Sequence, residues 1–443
     1  MKSRSRRAFY PTRTALSDEI PAQWHALPLK RLFRVVGGST PPSNSENWDG
    51  DIAWVTPGDL SGLNGFSISS GKRSITEQGV QSCGTSLVPR GSIIVSTRAP
   101  IGSLAVAERE MCTNQGCKAL VPDRRVNSRF FAYALSISSS QLNALGQGST
   151  FKEISGDTLG AFSLPVPPFE EQCRIAAFLD YETARIDELV HEQERLQRLI
   201  EEWRHSIIVQ SVLGGLRENV PLRDSGFESL GHIPAHWTVK PTKYLGHLVT
   251  GTTPRRLADA DGVVEGLPWV RPDDFDEWSG AVTPRTFLPS LLASEVRSVP
   301  KGSLLVSCIG RIGTTVQAGD ELATNQQITA IVPRNVHPRY LFYALRSLRQ
   351  ELERNAVGNV IPILNASRLS RIVVPFPPRE EQRQIAVFLD GEVERLNALF
   401  HHQEKSILLL RERRSALIGA AVTGQLDLRD WQPPDSRVMA EVV

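Results

Sequence analysis

Pro165-Val166-Pro167-Pro168-Phe169-Glu170-Glu171-Gln172 returns 210 residues later as Pro375-Phe376-Pro377-Pro378-Arg379-Glu380-Glu381-Gln382. The match continues through Ile175-Ala176-Ala177-Phe178-Leu179-Asp180 and Ile385-Ala386-Val387-Phe388-Leu389-Asp390. Upstream anchors repeat in the same order. Ile20-Pro21-Ala22-Gln23-Trp24 returns as Ile233-Pro234-Ala235-His236-Trp237, and Gly38-Ser39-Thr40-Pro41 as Gly251-Thr252-Thr253-Pro254. Trp54–Asp59 matches Trp269–Asp274, Gly91–Ser96 matches Gly302–Ser307, and Thr113-Asn114-Gln115 matches Thr324-Asn325-Gln326. Solenoid periods run to about 20–50 residues, so units of this length are duplicated domains. The 443-residue chain is long enough for two of them.

The repeated motif separates two textures. Before it, residues 25–165 are rich in Gly, Ser, Pro and Thr, with short apolar runs at Ser92–Val95 and Lys118–Val121 that read as strands. Phe130–Leu135 and Tyr340–Leu345 read as short helices. After it come long stretches almost free of Gly and Pro. Pro168 and Pro378 suit a helix start, and Glu170, Glu171, Glu380 and Glu381 suit its positive end. Spacings of three and four predict a seam at Glu182, Ile186, Leu189, Gln193, Leu196, Ile200, Trp203 and Ile207. The second helix gives Glu392, Leu396, Leu399, Gln403, Ser406, Leu410, Arg413 and Leu417.

The expected fold is α+β: two mixed, strand-rich domains joined and separated by two long helices, with an internal pseudo-two-fold repeat. The helices are expected to form an antiparallel coiled coil, Ile186, Leu189, Leu196, Ile200 and Trp203 meeting Leu396, Leu399, Leu410 and Leu417. The alternative is that each helix folds back on its own domain. Expected boundaries are a basic arm at 1–18, a first domain at 19–168, a central helix at 169–215 and a linker at 216–227. A second domain at 228–378, a distal helix at 379–425 and a polar tail at 426–443 follow. Outward helix faces, including Ile207-Ile208 and Leu408–Leu410, are expected to stay apolar for a partner.

Net charge is only +2, but it is unevenly placed. Residues 1–168 carry 18 basic against 12 acidic side chains, and residues 216–379 carry 19 against 15. Residues 169–215 carry 5 against 10, and residues 380–414 carry 6 against 7. Basic globular parts and acidic helices suit a chain whose domains face a polyanion. The modest total fits one that reads bases while a partner shares the phosphate contacts.

No zinc finger, basic zipper or clear helix-turn-helix occurs, so candidate DNA contacts come from polar stretches between strands. They are Thr40, Lys72, Arg73, Arg98 and Lys152 in the first unit. Thr253, Arg255, Arg256, Arg271 and Arg311 are those in the second. Arginine and lysine donate equally well to guanine edges and to phosphates. Thr113-Asn114-Gln115 and its copy are read as structural, because domains that read different bases should differ where they discriminate. Recognition is expected where the repeats disagree: 62–80 against 276–295, and 40–50 against 253–267.

Catalytic signatures are missing. Gly65 to Gly71-Lys72 has one residue too many for a phosphate loop, and Arg73 stands where Ser or Thr is needed. Methyltransferase signatures and a nuclease-like carboxylate cluster are also absent. Five cysteines (Cys83, Cys112, Cys117, Cys173, Cys308) form no Cys-x-x-Cys, and no His-Glu-x-x-His occurs. The expectation is a non-enzyme without a cofactor or metal of its own, without a membrane span, and cytoplasmic.

The duplicated Ile-Pro-x-x-Trp, Gly-Ser/Thr-Thr-Pro and Pro-x-Pro-Pro-x-Glu-Glu-Gln segments resemble the specificity subunits of type I restriction-modification enzymes. The resemblance covers roughly residues 19–425. It implies two target-recognition domains, each reading half of an asymmetric bipartite site in double-stranded DNA, with paired helices fixing the spacer. It implies two methyltransferase subunits that bind S-adenosylmethionine and methylate adenine. Two restriction subunits using ATP and magnesium are implied as well, in the DNA of a bacterial or archaeal host. A coiled-coil scaffold without sequence-specific DNA reading is the competing possibility.

Overall fold

A computed structural model describes residues 8–434 apart from 13, 64, 148–151, 261 and 359, together with the backbone but not the side chain of Asp259. The basic residues Lys2, Arg4, Arg6 and Arg7, and the tail from residue 435 onward, lie outside the described residues. The chain divides into two compact units, Met1–Glu192 with Ile407–Val443, and Gln193–Ser406.

In the first unit, short and mostly apolar runs, buried on both faces at the centre, build a five-stranded sheet. Its order is Phe33–Gly37, Cys117–Pro122, Ile93–Ser96, Leu104–Ala107 and Ser67–Ile68, antiparallel except for the last pair. A second sheet places Trp48–Val55 between Met111–Thr113 and Arg73–Ile75. The second unit repeats this plan. One sheet runs Gly246–Thr250, Ile328–Pro333, Leu304–Ser307 and Thr315–Gln317, and the other runs Thr286–Leu288, Leu267–Val270, Leu322–Thr324 and Ser298–Val299. The helices Ser128–Ser136 and Pro338–Ser347 carry the aromatic centre of each core, with Phe130, Phe131, Tyr340 and Phe342 buried.

The two long helices are Phe169–Gly214 (central) and Arg379–Val422 (distal). Gly215 and Gly424, at φ +77° and +75°, lie just beyond them in the left-handed conformation that commonly ends a helix. The central helix gives its first part to the first unit, and the distal helix gives its last part. In that unit Ile175, Ala176 and Leu179 share a core with Ile418, Ala421 and Val422. In the second unit Ile208 and Val212 share a core with Ile385, Ala386, Leu389 and Val393. Within each unit the beginning of one helix thus meets the end of the other, which is antiparallel pairing.

The duplicated motifs explain that meeting. Trp24 is fully buried, and its indole N–H donates to Glu171 Oε2 at 2.9 Å. A Cβ added at Gly424 would lie 3.0 Å from the same ring. Trp237 donates likewise to Glu381 at 2.9 Å and faces Gly215. Gln172 Oε1 accepts from the Asn127 amide at 2.9 Å, while its Nε2 donates to the Pro167 carbonyl at 3.0 Å. Gln382 does the same to His337 and Pro377, both at 2.8 Å. Asp180 accepts from Arg129 at 2.6 Å and from the Tyr133 hydroxyl at 2.8 Å. Asp390 accepts from Arg339 at 2.5 Å and Tyr343 at 2.7 Å. Burial pushes both phenols well above the usual tyrosine range, so they remain donors. The repeated Glu, Gln and Asp are therefore fasteners between globular part and helix.

Among the described residues, no helix is long and apolar enough to cross a membrane.

Candidate nucleic-acid interface

Thr113-Asn114-Gln115 and Thr324-Asn325-Gln326 form matching turns at strand ends. Asn114 Oδ1 accepts from the Gly116 amide at 3.0 Å, and Asn325 Oδ1 from the Gln327 amide at 3.1 Å. Such self-closing amides stabilise a turn. The hydroxyls of Thr40 and Thr253 donate to Gln115 Oε1 and Gln326 Oε1. Trp54 and Trp269 donate, both at 3.0 Å, to the carbonyls of Ser39 and Thr252. Gly38 and Gly251 run so close that an added Cβ would sit 2.2 Å from the carbonyl oxygens of Thr113 and Asn325 respectively. These shared residues hold the framework from which the variable side chains project.

Around the first turn lie three of the candidate residues. Thr40 reaches Gln115, and the Arg98 amide donates to the Gly116 carbonyl at 3.3 Å. Pro57, whose Cγ would be 2.9 Å from a Cβ on Gly116, begins the short helix Pro57–Ser61. Asp59 of that helix accepts from the Lys72 amide at 2.9 Å, leaving the lysine side chain exposed. The Arg98 guanidinium is already paired with Glu153 at 2.9 Å. Arg73 lies over the Trp48 ring at 3.7 Å, and Lys152 is exposed.

The second unit keeps the scaffold and changes its cations. Arg271 occupies the place of Thr56: both backbone amides donate at 2.8 Å to an aspartate three residues on, Asp274 or Asp59. Its guanidinium is 5.5 Å from the Trp269 ring and donates to Thr286 at 3.4 Å. Arg311 donates to the Pro272 carbonyl at 3.1 Å, beside Arg271. Thr253, Arg271 and Arg311 therefore cluster around this turn pair. The Arg255 amide donates to Glu295 at 3.2 Å, and both Arg255 and Arg256 are exposed.

Part of the divergent segment 276–295 has another placement. Asp276 closes a turn by accepting from the Trp278 amide and the Ser279 hydroxyl, at 2.9 and 2.6 Å. Trp278 then stacks on Phe400 of the distal helix at 3.8 Å and lies under Arg204 of the central helix at 3.6 Å. Arg346 donates to the Glu277 carbonyl at 2.8 Å, and Arg349 forms an ion pair with the Glu277 carboxylate. This stretch is anchored on helices. The sequence gives no local signal for it, because the partners come from three remote segments.

The helical seams also differ from the expected ones in phase. Ile186 and Leu396 are buried, and Ile200, Leu410 and Leu417 are half-buried. Leu189, Leu196, Trp203 and Leu399 instead stand 50%, 42%, 51% and 43% exposed. The second inward column of the central helix runs through Thr183, Val190, Gln197, Arg204 and Ser211; in the distal helix it is Val393, Phe400, Ile407 and Arg414. The expected column followed the most apolar residues, whereas packing turns a largely polar column inward in the central helix. Ile208 is buried in the core of the second unit, and Leu408 and Leu409 are exposed.

Among the described residues, no group of His, Cys, Asp and Glu could hold a metal ion. Burial pushes the Cys112 and Cys117 thiols up to about 11 and about 12.

The family described as "Type I restriction modification DNA specificity domain" matches residues 21–198 and 234–408, once in each repeat. The chain belongs to this specificity family. It is thus the non-catalytic DNA-specificity subunit of a type I restriction-modification enzyme. It is similar to the type I restriction enzyme MjaIX specificity subunit of Methanocaldococcus jannaschii, 26% identical over 93% of this chain and 95% of that one. The EcoR124I/EcoR124II specificity subunit of Escherichia coli is 30% identical over 34% of this chain and 39% of its own. Among solved structures, a chain from a study of complex assembly and conformational transition of the type I R-M system superposes with a TM-score of 0.73. Its identity is 19%, over 92% of this specificity subunit and 99% of that chain. The HsdS subunit from Thermoanaerobacter tengcongensis gives 0.51 at 20% identity, covering 92% and 98%.

Proposed function

We propose that each unit of this specificity subunit reads one half of an asymmetric, bipartite DNA site, and that the paired helices set the spacer. The observation that carries the reading is a scaffold built twice with different cations on it. Matching turns at Asn114 and Asn325 are surrounded by Thr40, Lys72 and Arg98 in one unit and by Thr253, Arg271 and Arg311 in the other. Equal frameworks give equal docking, while unequal side chains give two different half-sites. Arg73, Lys152, Arg255 and Arg256 add exposed donors nearby. The proposed domain limits are 19–168 and 228–378, with helices at 169–215 and 379–425.

Two methyltransferase subunits dock on the helices, and the exposed Leu189, Leu196, Leu199, Trp203, Leu399, Leu408 and Leu409 supply apolar contact area for them. The partners bring S-adenosylmethionine for adenine methylation, and two restriction subunits bring ATP and magnesium chemistry.

Methylome sequencing of a host with and without this gene tests the reading. A methylated bipartite motif should appear only with the gene. Replacing Arg255 and Arg256 together should relax the half-site read by residues 228–378 and spare the other. A contiguous motif, or equal loss at both halves, would refute modular reading.

A further inference from the structure

The second unit contains a polar cavity of about 170 Å³ that DNA reading does not require. Its walls are Glu201, Arg204 and His205 of the central helix, Glu277, the turn Gly313–Thr315, and Arg346 and Arg349. The volume accommodates several waters or one small ion with part of its hydration.

Three guanidinium groups line it beside two carboxylates, Glu201 and Glu277, and Asp276 and Glu353 add two more at its edge. Glu277 is engaged by Arg349, which also pairs with Glu353 at 3.1 Å. Among the described residues Arg204 donates to the Trp278 carbonyl, at 2.9 Å, and lies over the Trp278 ring, with Glu201, Glu277 and Asp276 near enough to favour its charge. Arg346 Nη2 donates to the Glu277 carbonyl, while its Nη1 is buried with no hydrogen-bond partner among the described residues. Thr314 Oγ1 is likewise buried and unpartnered. Burial, reinforced by the Arg204 charge, pushes the Arg346 guanidinium down to about 10. A buried donor left unmade costs about 1–3 kcal/mol, and more when it is charged.

The first unit shows that this is not a requirement of the fold. Ser136 and Ser139 stand in the positions of Arg346 and Arg349. Arg414, the counterpart of Arg204, forms an ion pair with Asp187 at 2.8 Å. The helical arginine is directly ion-paired in one copy, whereas in the other it is joined by two more arginines and lines a cavity.

We propose that this cavity binds a small free oxyanion, held by Arg204, Arg346 and the Thr314 hydroxyl, which fastens the Asp276–Gly280 turn to the helices. An anion there would give both orphaned polar groups an acceptor.

The test is isothermal titration of the full-length subunit with inorganic phosphate, without DNA and in chloride buffer free of other oxyanions. One saturable site per chain is expected, competed by sulfate. Arg346→Met and Arg204→Met should each weaken binding at least about tenfold, the size of one charge-assisted hydrogen bond. Thr314→Val, nearly isosteric, should weaken it severalfold and provides a variant with little risk to folding. Arg371→Ala, at an exposed position, should bind as the parent does. Absence of a saturable site in the parent would overturn the proposal, showing that the cavity holds water or awaits a partner's carboxylate. Unchanged affinity in both Arg346→Met and Thr314→Val would overturn it too, by placing the anion elsewhere.

Discussion

Gln172→Ala should unfasten the first unit from its helix at a cost that can be worked from the contacts. The glutamine is 2% exposed and bridges the Asn127 amide, at 2.9 Å, to the Pro167 carbonyl, at 3.0 Å. Truncation removes both bonds, along with a long one at 3.5 Å to the Arg125 carbonyl, and leaves a small void. Each lost bond costs about 1 kcal/mol where water can replace it and about 3 kcal/mol where it cannot. Asn127 and its surroundings are partly accessible, so the sum is about 2–4 kcal/mol, or roughly 30- to 700-fold in the local opening equilibrium. Hydrogen exchange of the peptide around residues 123–135, read by mass spectrometry, should show faster exchange at Asn127 and along the helix it caps. Gln172→Glu keeps the acceptor for Asn127 but sets a carboxylate against the Pro167 carbonyl, and it should recover less than half the loss. Gln382→Ala should reproduce the effect at His337 in the second unit. The double variant should be additive, because the two glutamines share no partner. A loss under about 0.5 kcal/mol, or a Gln172→Glu protein indistinguishable from the parent, would refute the fastening role.

Other outcomes follow from the same geometry. Trp24→Ala, which empties a fully buried site and removes the indole hydrogen bond to Glu171, should cost at least about 3 kcal/mol by urea unfolding. Leu396→Ala should cost about 2–5 kcal/mol, whereas Leu196→Ser should stay within about 0.5 kcal/mol; a comparable loss at both positions would restore the seam expected from apolarity. Cys112 and Cys117, buried and with thiols raised to about 11 and about 12, should resist iodoacetamide at pH 8 in the folded chain and react once urea is added. Inserting one matched heptad in each long helix adds about 10.5 Å, which is about three base pairs of B-DNA. The methylated motif should then keep its half-sites and gain spacer; altered half-sites would move the reading elements into the helices.

The duplication, the strand-rich domains, the two long helices and the family were legible in the sequence, because comparing the chain with itself exposes what both copies need. Trp24 and Trp237, Glu171 and Glu381, and Gln172 and Gln382 recur because each completes one buried hydrogen-bonded junction that works only with its partner. Gly38 and Gly251 recur because no side chain fits against the turn they cross. The phase of the helix seam was not legible. Spacings of three and four are both helical, so Leu189 and Val190 compete for one inward column. Apolarity favours the leucine, and only packing against a neighbour turns Val190, Gln197 and Arg204 inward. The same holds for the arginine-lined cavity and the docked Asp276–Gly280 turn. Their residues come from segments near 204, 277, 314 and 346, so the arginine cluster they create exists only once the chain has brought them within a few ångströms.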